Sequence, residues 1–406
     1  MGTSLPPTLP AELWNTILLH AAGPPSFDAP GRTRQTTLAR FALVSRFWRV
    51  LAKAELFRAP LLPSVTAAVR LARLLSDGKR GEELAGKVRE LRAGRVWESM
   101  ERDEEGLGYG IERLVDRCSG LRELHLCRLE GINLGRRLRS ESLHTLHVCD
   151  CSIWLRPVPP SGEMTGRLDG VPYLPALRNL TLSQITGTYV GDPEPAGSDY
   201  WLNRYLLSGE VFPPRVRALN MDSKAVWDVL PRLQVERFRA GRGLLALAVP
   251  SFPEGVLDIG AITGCYDLPG LVLFSCPAEA LRGKPYVAER HGVGAYLGGL
   301  PSSLRALRLT AGHFFGSDFL TPFLSSPSNR LRALEELILP LRVSTGAAFE
   351  GLRSWAGREG VRIVWERDED GLGSMEDARW WAHVRRWEGP VALGRTGRRR
   401  EERAAV

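Results

Sequence analysis

The chain has 406 residues, of which 44% are hydrophobic and 25% charged, and its formal net charge is +8. That balance excludes a disordered chain, and six cysteines in this length are too few for a disulfide scaffold. No charged-then-apolar leader opens the sequence and the apolar run 244–249 is far too short to span a bilayer, so a reducing cytosolic or nuclear compartment with free thiols is expected.

The surplus charge is almost all arginine. Only five of the 54 basic residues are lysines (Lys53, Lys79, Lys87, Lys224 and Lys284), and the arginines are interleaved with acids along the chain. Spread in this way they do not form the dense stripe that a phosphate backbone demands, and nucleic acid is not the expected partner. The one dense cluster, GRTGRRREERAAV, reads as a solvated basic tail over 391–406, with a nuclear-import patch as the alternative.

From the N-terminus, LPPTLPAELWNTILLHAA places Leu9, Leu13, Ile17 and Leu18 at helical spacing, with Pro10 suited to a first helical position and Glu12 to the positive end of the dipole. GPPSFDAPGRTR breaks the pattern and reads as a loop. In QTTLARFALVSRFWRVLAKAELFRAPLL, Leu38, Phe41, Val44, Trp48 and Leu51 recur every three to four residues, predicting one or two further amphipathic helices. About 60 residues make a small core, so this unit is expected to lean on a neighbour for part of its burial.

This segment resembles an F-box. The opening Leu9, Pro10, Glu12, Leu13, Ile17 and Leu18, the Val44–Ser45–Trp48 core of LVSRFWRVLA, and the closing Leu56–Phe57–Arg58 follow the family's order. The Pro-rich insertion between the first two helices is longer than the family's usual link. The resemblance covers residues 8 to 62 and implies a helical module that docks the adaptor subunit of a cullin-RING ubiquitin ligase through Leu9, Pro10, Leu13, Ile17, Leu18, Val44 and Trp48.

A helical linker is expected over 63–87, with a helix from Val65 to Leu75 and a polar turn at Asp77–Gly78. Beyond it the template Leu-x-x-Leu-x-Leu recurs. It reads as Val88/Leu91/Ala93, Leu121/Leu124/Leu126, Leu143/Leu146/Val148, Leu177/Leu180/Leu182, Val216/Leu219/Met221, Val235/Phe238/Ala240, Leu268/Leu271/Leu273, Leu304/Leu307/Leu309 and Leu334/Leu337/Leu339. A last strand is expected at Val361–Glu366 and a weak one at 256–260. In each copy the fourth and sixth residues point inward and the fifth and seventh outward. A lone strand cannot bury its apolar face, so the copies are expected to stack in parallel. GIERLVDRCSG, FLTPFLSS and AAFEGLRSWAGREG would supply helices on the other side.

The array resembles degenerate leucine-rich repeats. Cys151 in LHTLHVCDC and Cys276 in LPGLVLFSC fall at the ninth position, where the family places Asn or Cys to satisfy backbone groups of the bend. The fold class is therefore α/β: a helical F-box-like module over 1–62, the linker, an irregular leucine-rich-repeat-like solenoid over 88–366, a Trp-rich cap over 367–390 and the tail. RWWAHVRRW is expected to form a capping helix over the last repeat.

Two His-x-Cys pairs, His125/Cys127 and His147/Cys149, fall side by side in register. Two His and two Cys could form a tetrahedral zinc site. However, no C-x-x-C or H-x-x-x-H spacing is present, and a strand ladder splays side chains in parallel, so no metal or cofactor is expected. With Arg92, Thr181, Asn220, Arg239 and Arg308 they would line a polar, partly basic concave face. That face would hold a protein target carrying acidic or phosphorylated segments. The glycine-rich GLGYG and HGVGAYLGG lack a P-loop lysine or a dinucleotide fingerprint, and no G-x-S-x-G is present, so no enzyme is expected. The resemblance implies a non-catalytic, substrate-recognition subunit of a ubiquitin ligase. The alternatives are a scaffold of the same build outside any ligase, or a basic nucleic-acid-binding repeat protein.

Overall fold

A computed structural model describes residues 9–23, 34–94, 111, 114–129, 140–149, 151–155, 174–183, 186–189, 216–221, 244–248, 270–277, 302–310, 320–321, 324, 331–341, 347–366 and 380–387. The copy at Val235, the strand at 256–260, Arg239 and the tail lie outside them. The chain divides into two compact units, residues 1–176 with 188–190, and 177–187 with 191–406. Among the described residues no helix is long and apolar enough to cross a membrane.

The first unit opens with three helices, α1 (Ala11–Ala22), α2 (Arg34–Val44) and α3 (Arg46–Arg58). Pro10 stands one place earlier than expected, as the N-cap of α1, and Gly23 ends that helix at φ 76°, where a side chain would be strained. Ser45 separates α2 from α3: its extended backbone breaks the helix, and its hydroxyl accepts the Trp48 N–H at 3.2 Å. Leu18, Ala22, Leu38 and Ala52 form the core, with Phe41, Trp48, Leu51 and Leu56 packed around them. Buried Glu55 ties the bundle together, its Oε2 accepting from Arg34 at 2.9 Å and from Arg58 at 3.0 Å.

β1 (Leu61–Leu62), α4 (Val65–Leu75), α5 (Gly78–Ala85) and β2 (Glu90–Gly94) follow. β1 pairs in parallel with β2, so 63–87, with the expected helix over Val65–Leu75, forms the crossover of a β-α-α-β unit. β2 pairs in parallel with β3 (Glu123–Cys127), and β3 with β4 (Thr145–Cys149). Buried Ile111, Leu114 and Val115 lie in the helical stretch ahead of β3. β5 (Ser152–Leu155) and β7 (Thr186–Tyr189) make a separate two-stranded sheet.

In the second unit β6 (Asn179–Ser183), β8 (Ala218–Met221), β9 (Ala246–Ala248), β10 (Leu273–Pro277), β11 (Ala306–Thr310), β12 (Glu336–Pro340) and β13 (Arg362–Glu366) pair in that order, all parallel. α6 (Ala347–Glu359) joins the last two, as AAFEGLRSWAGREG predicts. The residues expected to point inward, Leu91, Leu124, Leu126, Leu180, Leu219, Leu307, Leu337 and Leu339, are all buried.

Two registers differ from expectation. β9 carries a copy outside the expected set, Leu244-x-x-Leu247. Leu247 is the Cα partner of Phe274 and Phe274 of Leu307, so the β10 copy is Leu271/Phe274/Cys276, three residues later than expected. Cys276 pairs with Leu309 and sits at the inward sixth position, not at the bend. Cys151 does take the bend role. Its Sγ accepts the Leu129 N–H at 3.5 Å and donates to the Cys149 carbonyl at 3.1 Å.

Candidate functional site

Two surfaces gather the residues singled out in the sequence. The first lies on the N-terminal helices. Leu9 and Pro10, just ahead of α1, and Leu13 and Ile17 on it are exposed, with Leu9, Leu13 and Ile17 spaced four apart. Val44 at the end of α2 is 68% exposed, beside Leu43 at 79%, and Val50 on α3 is 69% exposed. Phe47 packs edge-on to Trp14 with centroids 6.1 Å apart, linking the α1 stripe to α3. Two expected surface residues are placed otherwise. Leu18 is wholly buried in the bundle core. Trp48 is half-buried and ringed by Trp14, Phe41 and Phe47 at 5.2 to 5.8 Å, so it props the surface from beneath. Leu43, Phe47 and Val50 were not among the expected residues. Their only sequence signal was apolar character off the 3–4 stripe.

The second is the strand face that carries the third, fifth and seventh positions. The sequence predicts an accessible polar face; the structure buries it. Thr181, Asn220, Arg308, His125, His147, Cys127 and Cys149 are all buried, and Arg92 is half-buried. The physical reason is that these parallel strands are covered on both faces: β4, β11 and β12 are buried at every position.

In the first unit, Arg92 and His125 are Cα partners, and so are His125 and His147. The two imidazole centroids lie 5.3 Å apart, with the rings tilted by 36°. Burial pulls the His147 ring well below its usual pKa, and the charges of His125 and Arg92 pull the same way, so it is neutral at pH 7. Glu90 and Glu123 stand directly opposite each other. Arg92 donates to Glu90, while His125 Nε2 lies 3.5 Å from Glu123 and 3.8 Å from Glu90. Among the described residues the potential metal ligands that converge are therefore Glu90, Glu123 and His125, within 4.8 Å of one another. With Arg92 already on Glu90 this is a charge-compensated network. Cys127 and Cys149 belong to a different cluster, under Leu61. Gly94 makes room for them: a Cβ there would lie 2.4 Å from the Cys127 carbonyl oxygen.

In the second unit the same face is roofed by a helix over residues 380–387. Trp380, Trp381, Val384 and Trp387 share one apolar cluster with Ala218, Ala246, Ala248, Leu273, Ala306 and Ile338. The RWWAHVRRW helix thus lies over the face of β8 to β12, with Val364 of β13 packed against the same cluster. The alanines make the groove in which the indoles sit. Polar contacts fix its edge. Arg386 and Arg362 both pair with buried Glu336, and the Arg305 guanidinium lies over the Trp387 ring at 5.2 Å. His383 Nε2 donates to Glu366 at 2.6 Å, and Arg308 donates to the other Glu366 oxygen at 2.9 Å and to Ser275 at 3.3 Å. Glu336, Glu366, His383 and Arg386 were missed in the sequence because their partners lie 17 to 58 residues away.

No protein-family model matches the chain, and no curated protein matches it.

Proposed function

We propose that the chain is a substrate-recognition subunit of a cullin-RING ubiquitin ligase, its N-terminal helices acting as an F-box and its parallel units as degenerate leucine-rich repeats. One observation carries this reading. Five of the seven residues at motif positions (Leu9, Pro10, Leu13, Ile17 and Val44) are exposed, and Leu43, Phe47 and Val50 add to them. Large apolar side chains held in water by a small bundle mark a protein interface. The inward, backbone-satisfying Cys151 supports the repeat assignment. On this reading the chain performs no chemistry and needs no cofactor. It raises the effective concentration of a target's lysines near the ubiquitin carrier in cytosol or nucleus.

The test is binding of a purified adaptor subunit to the full chain by calorimetry. Wild type binds, and Leu13→Asp with Val44→Asp weakens binding at least tenfold while the thermal melt is kept. A wild-type chain with no affinity for adaptor removes the ligase reading. Retention on random duplex DNA that falls steeply with salt would favour the nucleic-acid alternative.

A further inference from the structure

We infer that Glu90, Glu123 and His125 form a binding site for a divalent metal ion, zinc by its ligand chemistry, that clasps β2 to β3. The strand register builds it. Glu90 and Glu123 are Cα partners, and His125 lies two residues beyond Glu123 on the same side of its strand. His125 Nε2 is 3.5 Å from a Glu123 oxygen and 3.8 Å from a Glu90 oxygen, and one ligand atom from each residue falls within 4.8 Å of the other two. An ion at the centre of such a triangle lies within about 2.4 Å of every corner, a small contraction away from zinc's bonds of about 2.0–2.2 Å.

The local charges point the same way. Two carboxylates directly opposite each other on neighbouring strands repel. Arg34 and Arg58 both hold Glu55, and Arg92 holds Glu90, with Arg34 near enough to feel its charge. Among the described residues Glu123 has no arginine or lysine partner; its carboxylate faces the His125 ring. That ring meets it with a positive charge only when protonated, and the neighbouring His147 ring is held neutral by burial. A divalent ion supplies the missing charge and takes His125 as a neutral ligand.

Ligand type narrows the ion. Magnesium and calcium take oxygen ligands, which an imidazole is not, and the set holds no thiolate to select copper(I). One imidazole with two carboxylates suits zinc, a water completing the tetrahedron. Arg92 stays on Glu90, since carboxylates that hold metals are commonly hydrogen-bonded in turn. The Glu123 side chain is 34% exposed against 10% for His125, so the ion enters past Glu123. It does no chemistry there. It ties the first two copies of the repeat together, a role that stands apart from the ligase reading.

The test uses the full chain, stripped of metal with EDTA, desalted, and titrated with zinc chloride by calorimetry. One zinc per chain is expected to bind, undisturbed by millimolar magnesium, and to raise the thermal midpoint. Glu123→Gln and His125→Gln should each weaken it at least tenfold, while Glu359→Gln, which changes an exposed acid on α6, leaves it unaltered. Glu123 stands at the rim, so its variant keeps the fold, which circular dichroism checks. Cobalt(II) then identifies the ligands: carboxylate and imidazole give visible d–d bands without the intense near-ultraviolet absorption of a thiolate. Absence of saturable zinc binding by wild type overturns the proposal, and so does zinc affinity unchanged in the folded Glu123→Gln chain. A thiolate band overturns it too, because it assigns the ion to cysteines such as Cys127 and Cys149.

Discussion

The guanidinium of Arg308 on β11 reaches across β12 to the carboxylate of Glu366 on β13, 2.9 Å away, and both are shielded from solvent. Burial pulls the Glu366 carboxyl up, but the hydrogen bond from His383 and the charge and hydrogen bond of Arg308 outweigh it and bring it down to about 2. The folded-state value is depressed, so its stabilisation is fully present above the usual range near 4.3 and is lost as pH falls through about 2. That is on the order of 3 kcal/mol. Urea melts between pH 7 and pH 2 should show this loss, and Glu366→Gln should be weaker at pH 7 with a flatter acid limb.

Removing the cation alone should also be costly. Arg308→Ala leaves Glu366 shielded with His383 as its remaining partner among the described residues, and breaking such a pair costs about 3–5 kcal/mol. Chemical denaturation should place both Arg308→Ala and Glu366→Gln well below wild type, because the first strands the Glu366 carboxylate and the second the shielded Arg308 guanidinium.

Cys151 should matter by its hydrogen bonds rather than its bulk. Cys151→Ala removes an acceptor for Leu129 N–H and a donor to the Cys149 carbonyl, at a cost of about 1–3 kcal/mol. Cys151→Asn can both donate and accept, and should recover part of the loss in the same urea titration.

Gly94→Ala should destabilise the first unit by about 1–3 kcal/mol, since the new methyl would meet the backbone of β3. The thermal midpoint should drop, with far smaller change for Gly357→Ala, whose added Cβ meets nothing within 4 Å.

Burial pushes the Cys118 thiol up to about 12. Thiolate is the reactive form, so iodoacetamide at pH 8 should leave Cys118 unmodified in the native chain and label it in urea, read by peptide mass spectrometry.

The repeat pattern made the strands legible wherever leucine filled the inward positions, as at Leu121/Leu124/Leu126 and Leu304/Leu307/Leu309. It failed at β10, where Leu268/Leu271/Leu273 fits the template as well as the true Leu271/Phe274/Cys276. Strands buried on both faces read as continuous apolar runs, so a slipped register still looks correct. β9 escaped for the related reason that alanines occupy its third and fifth positions. Helices α1 to α3 were legible from their 3–4 spacing, but spacing cannot tell a stripe turned to the core from one turned to water, which is why Leu18 and Ile17 look alike in sequence and differ in the fold. The cover on the strand face was illegible because amphipathicity shows that Trp380 and Trp387 need a seat without saying where it is.

Between α3 and the sheet the chain has almost no slack. α3 ends at Arg58, whose carbonyl accepts the Arg89 N–H at 2.9 Å, and the Pro60 carbonyl accepts the Arg92 N–H at 3.1 Å just before β1 enters the sheet. A joint pinned on both sides of two residues transmits orientation rather than absorbing it. A protein seated on the N-terminal helices would thus hold β1 to β4 at a fixed bearing, like a bracket rather than a tether. Whatever those strands carry would be presented along one line of approach.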